Sequence, residues 1–174
     1  YEIYGEEKRT PVPLNEISPY LKEAVIAVED ADFYQHRGIS LKAILRAVLA
    51  DLRFFKPSQG ASTITQQLIR SSYLTLEKTG SRKTREVILT LELERRYSKE
   101  QILEFYLNQI SFGQNAYGAQ VASQTYFKKD AQDLSLAEAA VLAALIQAPS
   151  RLSPYGLHQE ELMARKDFVL DRMT

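Results

Sequence analysis

The sequence predicts a mainly α-helical fold, and three observations support this prediction. Apolar residues recur at helical spacing in one segment after another along the chain. Ser or Thr precedes several of these segments, in the position that caps a helix N-terminus. No segment shows a convincing strand pattern, and the chain contains no internal repeat.

The apolar spacing predicts a run of helices after an extended lead-in over 1–17. The helices are expected at about 18–31, 41–55, 82–97, 99–109, 116–127 and 136–147, with one more beginning after Ser62 or Thr63 and a last one after a turn at 148–154. Ser98 with Gln101, and Ser135 with Glu138, have the spacing of capping boxes. Residues 111–115 are expected to form a loop.

Composition limits the classes of function. The 174 residues fit one domain of ordinary size, and 45% hydrophobic with 25% charged residues is typical of a globular protein. Lys plus Arg and Asp plus Glu both number 22, which argues against a domain devoted to nucleic acid. The absence of cysteine excludes disulfides and thiolate metal sites. The longest apolar run, 139–146, is shorter than the ~20 residues that span a bilayer, and a start at Tyr1 suggests a piece of a longer chain.

An acidic segment follows the first predicted helix. It brings three carboxylates, Glu29, Asp30 and Asp32, together with His36 and Gly38 where the helical pattern ends. The three acids cannot share one helix face, because their angular positions differ too widely. A solvated acidic helix end is the alternative to a functional site.

The predicted helix at 41–55 combines a broad apolar stripe with a cationic side. This pattern suits a membrane interface, and it also suits a core helix with one solvated face.

Two polar stretches come next. Thr63, Gln66, Gln67 and Arg70 are expected to form a hydrogen-bonding strip for sugar or peptide groups, for DNA base edges, or for solvent alone. The stretch 78–85 carries four cations and no acid, and Glu86 follows at once. A helix start with cations and a nearby carboxylate suits a phosphate or a metal-bridged diphosphate, although exposed ion pairs would look the same.

The order of these segments resembles the peptidoglycan glycosyltransferases (family 51), the polymerising domain of class A penicillin-binding proteins and of their monofunctional relatives. Five family motifs occur in the right order. The matching residues are Glu29, Asp30, Phe33, His36 and Gly38; Gly60 and Ser62 to Gln67; Arg82, Lys83 and Glu86; Lys99, Ile102, Leu103, Tyr106, Leu107 and Asn108; and Arg165 to Met173, where Lys166 replaces a common second arginine.

The resemblance implies one domain over 1–174, with a lysozyme-like fold, a cleft and a small mobile membrane-facing jaw at about 41–60. It implies that the substrate is lipid II, and that the growing glycan moves from its polyprenyl diphosphate to the 4-hydroxyl of an incoming lipid II with inversion. The implied partners are lipid II, the glycan strand and the membrane surface, with no nucleic acid and with a C-terminal transpeptidase domain in the intact chain. The implied location is the outer, periplasmic face of the bacterial cytoplasmic membrane, with an anchor before Tyr1.

Within this reaction we assign Glu29 as the base, and expect the cations to stabilise the leaving diphosphate. Glu86 is expected to orient Lys83 and the arginines, or to help hold a divalent cation (Mg²⁺ or Mn²⁺); no organic cofactor is expected. Asp30 and His36 are expected to orient the acidic segment. The catalytic residues are therefore Glu29 and Glu86, and the predicted substrate-binding residues are Asp30, Phe33, His36, Ser62, Thr63, Gln66, Gln67, Arg70, Arg82, Lys83, Arg85, Asn108 and Arg151.

Three other functions fit parts of the pattern. A lysozyme-type peptidoglycan hydrolase would use Glu29 as an acid, but it has no need of a diphosphate seat. A DNA-binding helix-turn-helix over 62–97 conflicts with the zero net charge. The third is a lipid-binding module without catalysis.

Overall fold

A computed structural model describes residues 8–45, 62–73 and 80–174 of the chain. The described residues are mainly helical, which confirms the predicted class. The helices are α1 Pro19–Glu29, α2 Ile64–Tyr73, α3 Gly80–Arg96, α4 Lys99–Gln109, α5 Ala119–Phe127, α6 Leu136–Ile146 and α7 Gln159–Met173, with 3-10 turns at Leu14–Glu16 and Ala131–Asp133. Residues 41–45 are also helical, but the rest of the predicted jaw at 41–60 lies outside the described residues. Across the described ranges, no helix has both the length and the apolar character needed to cross a membrane.

Two short strands are present, although no segment of the sequence shows a convincing strand pattern. β1 (Lys8–Arg9) pairs in parallel with β2 (Ala116–Tyr117). The helix expected from residue 116 therefore begins only at Ala119. Strands of two residues are too short to show an alternating pattern, so sequence periodicity could not detect them.

Gly118 explains why α5 starts late. Its backbone has φ 85° and ψ 155°, a conformation that is essentially restricted to glycine. A Cβ atom at this position would lie 2.8 Å from the backbone oxygen of Asn108. The chain therefore turns at Gly118 and can become helical only after it.

The chain divides into two compact units. Unit one consists of residues 1–28 and 107–174, and unit two of residues 29–106. The single domain expected over 1–174 stays a prediction.

In unit one, α6 packs against α7. Most of α6 is fully buried, and its alanines allow close approach to neighbouring elements. The predicted capping box is confirmed, because the Ser135 side chain accepts from the Glu138 N–H and the Glu138 side chain accepts from Ser135.

In unit two, α2 packs against α3, and the predicted capping box of Ser98 and Gln101 opens α4. A largely buried ion pair joins the end of α3 to the first residue of α4. Lys99 Nζ lies 2.8 Å from Glu94 Oε1, and the two side chains are 17% and 6% exposed. The Thr65 hydroxyl donates to the same carboxylate oxygen, and Lys99 Nζ lies 4.4 Å from the centre of the buried Phe33 ring. The pair thus connects α2, α3 and α4 to the acidic segment.

We expect Gly118→Ala to lower the free energy of unfolding by about 2–3 kcal/mol, because alanine is strained at this φ and ψ and its Cβ meets the Asn108 carbonyl. Urea unfolding measures the loss. Gly156→Ala is the control, since Gly156 has no positive φ and its Cβ would lie 3.2 Å from the nearest atom, Ser153 O. Equal losses in both variants would contradict the explanation.

We expect Lys99→Met to lower the free energy of unfolding by about 3 kcal/mol, because the shielded Glu94 carboxylate loses its cation. The double variant Lys99→Met, Glu94→Gln should recover most of this loss, since no buried charge is then left unpaired. Arg95→Met, which breaks an exposed pair with Glu92, should change stability little. A double variant as unstable as Lys99→Met alone would show that packing, and not charge, causes the loss.

Candidate active site

Glu29 ends α1 and is partly exposed. Leu21, Val25 and Glu29 follow one another at i,i+4 spacing, so the carboxylate continues the apolar stripe at the helix end. Gln67 Nε2 donates a 2.8 Å hydrogen bond to Glu29 Oε2. The predicted base is therefore held by an amide of α2.

The neighbouring Asp30 is buried and has a structural set of partners. Its Oδ2 accepts the backbone N–H of Ile64, the first residue of α2, at 3.1 Å. His36 Nε2 lies 2.9 and 3.0 Å from the two carboxylate oxygens. The Gly38 N–H donates to His36 Nδ1, so the ring proton lies on Nε2, where it faces Asp30. This geometry suits the predicted orienting role, which stays a prediction.

Thr63 and Gln66 correct the expected exposed strip. Both side chains are buried, at 2% and 4% exposure. The Thr63 N–H donates to Gln66 Oε1 and the Gln66 N–H donates to Thr63 Oγ1, which is a capping box at the start of α2. The Thr63 hydroxyl also donates to the carbonyl of Gly38 at 2.6 Å. These polar groups are thus used inside unit two, and of the strip only Gln67 and Arg70 reach the surface in part.

Phe33, which the prediction placed among the substrate-binding residues, has a fully buried ring. Its contact with substrate stays a prediction. The Phe33 ring packs edge-on against Tyr34 and lies under the Lys99 ammonium. The ring anchors the acidic segment instead of presenting a surface.

The predicted cation cluster surrounds a buried carboxylate. Glu86 is 1% exposed; Lys83 Nζ contacts its Oε1, and Arg70 Nε lies 3.5 Å from its Oε2. Arg70 also donates to Ser62 Oγ at 2.9 Å. Glu86 therefore fixes two cations whose side chains are 59% and 44% exposed, Lys83 and Arg70.

Arg82 and Arg85 lie in the first turns of the same helix, α3. Arg82 is half-buried and Arg85 is exposed. Neither forms an ion pair with another residue of the described ranges. In those ranges no three His, Asp or Glu side chains are grouped so as to hold a metal ion.

Asn108 and Arg151 belong to unit one, where each has local partners. The Asn108 amide makes two 2.9 Å hydrogen bonds with the backbone of Val12, one to its N–H and one to its carbonyl. Arg151 forms an exposed 2.9 Å pair with Glu161. Their predicted contact with substrate stays a prediction.

Sequence reasoning missed the part that Tyr106 plays next to the site. Tyr106 matches a family motif and lies in α4, and it is 1% exposed. Its hydroxyl donates to Gln67 Oε1 at 3.0 Å. Burial raises the pKa of the Tyr106 phenol well above its usual value, and the charges of Glu29 and Asp30 add to the rise. A tyrosine among core positions needs a hydrogen-bond partner for its hydroxyl. The sequence could therefore have predicted that Tyr106 contacts a polar side chain, but not which one.

Comparison with known proteins identifies the family. The family model described as transglycosylase matches residues 1–174. Penicillin-binding protein 1F of Bacillus subtilis is 50% identical over 168 residues, which cover 97% of this chain and 23% of that protein. Penicillin-binding protein 1A of Rickettsia bellii is 44% identical over 175 residues, covering 99% of this chain and 22% of the relative. The chain thus spans less than a quarter of the length of these relatives.

A solved structure agrees with these matches. The crystal structure of penicillin-binding protein 1A from Haemophilus influenzae aligns with 96% of this chain and 15% of that chain, with a TM-score of 0.52 and 25% identity. The mainly helical fold is therefore similar to a part of that protein. The chain belongs to the transglycosylase family, as a peptidoglycan glycosyltransferase domain of the kind that class A penicillin-binding proteins carry.

Proposed function

We propose that this domain polymerises lipid II into linear glycan strands by inverting transfer from a polyprenyl-diphosphate donor to the 4-hydroxyl of an acceptor lipid II. One observation carries the proposal. Gln67 binds Glu29, and Arg70, three residues further along α2, pairs with Glu86. Residues at i,i+3 are neighbours on a helix surface, with roughly 5–6 Å between their Cβ atoms. The carboxylate and the cation cluster therefore lie along one side of α2.

This arrangement supplies the two things that the transfer needs, a base for the acceptor hydroxyl and cations for the leaving diphosphate. As the acceptor oxygen attacks the anomeric carbon, its proton passes to the Glu29 carboxylate. The bond from that carbon to the diphosphate oxygen breaks on the opposite face, so the configuration inverts. Negative charge then grows on the diphosphate, where cations stabilise it.

Glu86 fits this scheme as a group that holds the cations in place. Its carboxylate is covered by Lys83 and Arg70, so its charge is balanced before any diphosphate arrives. A divalent cation bridging Glu86 to the diphosphate, Mg²⁺ or Mn²⁺, is the alternative. That role would require Lys83 to release the carboxylate.

The described end of the proposed jaw supports a membrane-facing surface. Leu41, Ile44 and Leu45 are 78%, 41% and 61% exposed. Apolar side chains this exposed favour the interfacial interpretation of the 41–55 helix over the core interpretation. We accordingly propose a lysozyme-like domain with a cleft and a jaw at about 41–60, working on the outer face of the cytoplasmic membrane. A membrane anchor before this domain and a transpeptidase domain after it belong to the same proposal.

We expect Glu29→Gln to lower polymerisation about 100-fold or more, because the amide cannot accept the acceptor's proton. Incubation of the full-length protein with radiolabelled lipid II and gel separation of the glycan products measures this. Glu23→Gln, the same change at an exposed position of α1, should have no effect. Near-normal turnover of Glu29→Gln would remove the base assignment, and release of soluble sugar from finished cell wall would favour the hydrolase.

We expect Lys83→Ala to raise the KM for lipid II several-fold and to weaken inhibition by free polyprenyl diphosphate, because the diphosphate loses a charged donor. Arg95→Ala is the control, since it removes an exposed cation from the far end of the same helix. Unchanged kinetics in Lys83→Ala would place the diphosphate elsewhere.

A further inference from the structure

The side-chain amide of Gln67 is engaged at both of its ends. Its Nε2 donates to Glu29 Oε2 at 2.8 Å, and its Oε1 accepts from the Tyr106 hydroxyl at 3.0 Å. Gln67 thus stands between a partly exposed carboxylate and a fully buried phenol.

The chemistry of the three groups permits only one orientation of this amide. An ionised carboxylate has acceptors only, so Gln67 must turn its NH₂ group towards Glu29. The carbonyl then faces Tyr106, whose hydroxyl has to donate. A phenol that stays protonated can always donate, and the raised pKa of Tyr106 keeps it so.

Tyr106 itself has little freedom to move. It lies in α4, one turn after Ile102 and Leu103, which are also buried. A side chain packed into a core sits in a rotamer minimum with close neighbours on every side. The Tyr106 hydroxyl therefore holds the Gln67 amide from a fixed position.

We propose that Tyr106 is a positioning residue for the reacting carboxylate, acting through Gln67. The inference rests on the proposed function, in which Glu29 is the base. By fixing the amide of Gln67, Tyr106 sets the plane of the Glu29 carboxylate and keeps a hydrogen-bond donor on it. A base that is aligned before the substrate arrives does not have to be ordered during the reaction.

The test compares Tyr106→Phe, Gln67→Met and the double variant in the full-length protein with lipid II as substrate. Tyr106→Phe removes one oxygen and leaves the Gln67 amide held only by its bond to Glu29. We expect kcat to fall about tenfold, the size of one well-placed hydrogen bond, with KM unchanged. Tyr97→Phe, the same change at an exposed tyrosine, should leave both constants unchanged.

Two further readouts separate positioning from a structural role. The acidic limb of the pH profile of kcat should move to higher pH in both variants, because Gln67→Met removes the donor that favours the charged form of Glu29 and Tyr106→Phe leaves that donor unfixed. Glu29 and Asp30, the carboxylates whose charges act on Tyr106, are both kept in these variants. The double variant should match Gln67→Met alone, since Tyr106 has nothing to act through once the amide is gone.

Several outcomes would overturn the inference. The first is a wild-type kcat in Tyr106→Phe. The second is a double variant whose loss of kcat equals the product of the two single losses. The third is a Tyr106→Phe protein that melts at a lower temperature but keeps the wild-type kcat per folded molecule and the wild-type pH profile. If Tyr106→Phe does not fold, a wild-type kcat and acidic limb in Gln67→Met would overturn it as well. If Tyr106→Phe has the wild-type rate and Glu29→Gln is inactive, only this inference fails. If Glu29→Gln has the wild-type rate, the proposed function fails together with it.

Discussion

The candidate site depends on one hydrogen bond, from the backbone N–H of Ile64 to the buried carboxylate of Asp30. The first N–H groups of a helix have no partner within the helix, and a carboxylate at that end is favoured by the helix dipole. Asp30 therefore fixes the start of α2 next to Glu29, within unit two. Because Glu29 precedes Asp30 and Gln67 lies one turn after Ile64, the same contact brings Glu29 to the Gln67 amide.

Much of the polar sequence around this contact serves to hold it in place. Thr63 and Gln66 cap α2 reciprocally, and the Thr63 hydroxyl also binds the Gly38 carbonyl. His36 Nε2 binds the carboxylate oxygens of Asp30, and the Gly38 N–H orients the ring by binding its Nδ1. Hydroxyls and amides that look suited to a substrate are here satisfied by the protein, since buried polar groups need partners. Gln67 and Arg70 are the members of the strip that reach the surface at least in part, and they too have partners within the protein.

The sequence predicted the helices and two of their capping boxes because these depend on neighbours within one turn. Thr63 and Gln66 have the same local spacing, and a capping box could have been recognised there too. The pairs Gln67 with Glu29 and Tyr106 with Gln67 are 38 and 39 residues apart, and no periodicity reports such contacts. The strands were missed for a related reason, since β1 and β2 are two residues each and meet across more than a hundred residues. Local patterns thus identified the elements, and long-range hydrogen bonds decided what each motif residue does.

Exposure distinguishes the proposed base, Glu29, from three other carboxylates of unit two, Asp30, Glu86 and Glu94. Asp30 and Glu86 are 7% and 1% exposed, and cations or N–H groups cover their oxygens. The Glu94 side chain is 6% exposed and holds Lys99. A hydroxyl of an incoming sugar has no route to carboxylates covered in this way, whereas Glu29 is partly exposed at a helix end. Its Gln67 partner is a neutral amide, which orients the carboxylate without neutralising it. Access to solvent therefore supports the proposal that Glu29 is the base, independently of the family motif.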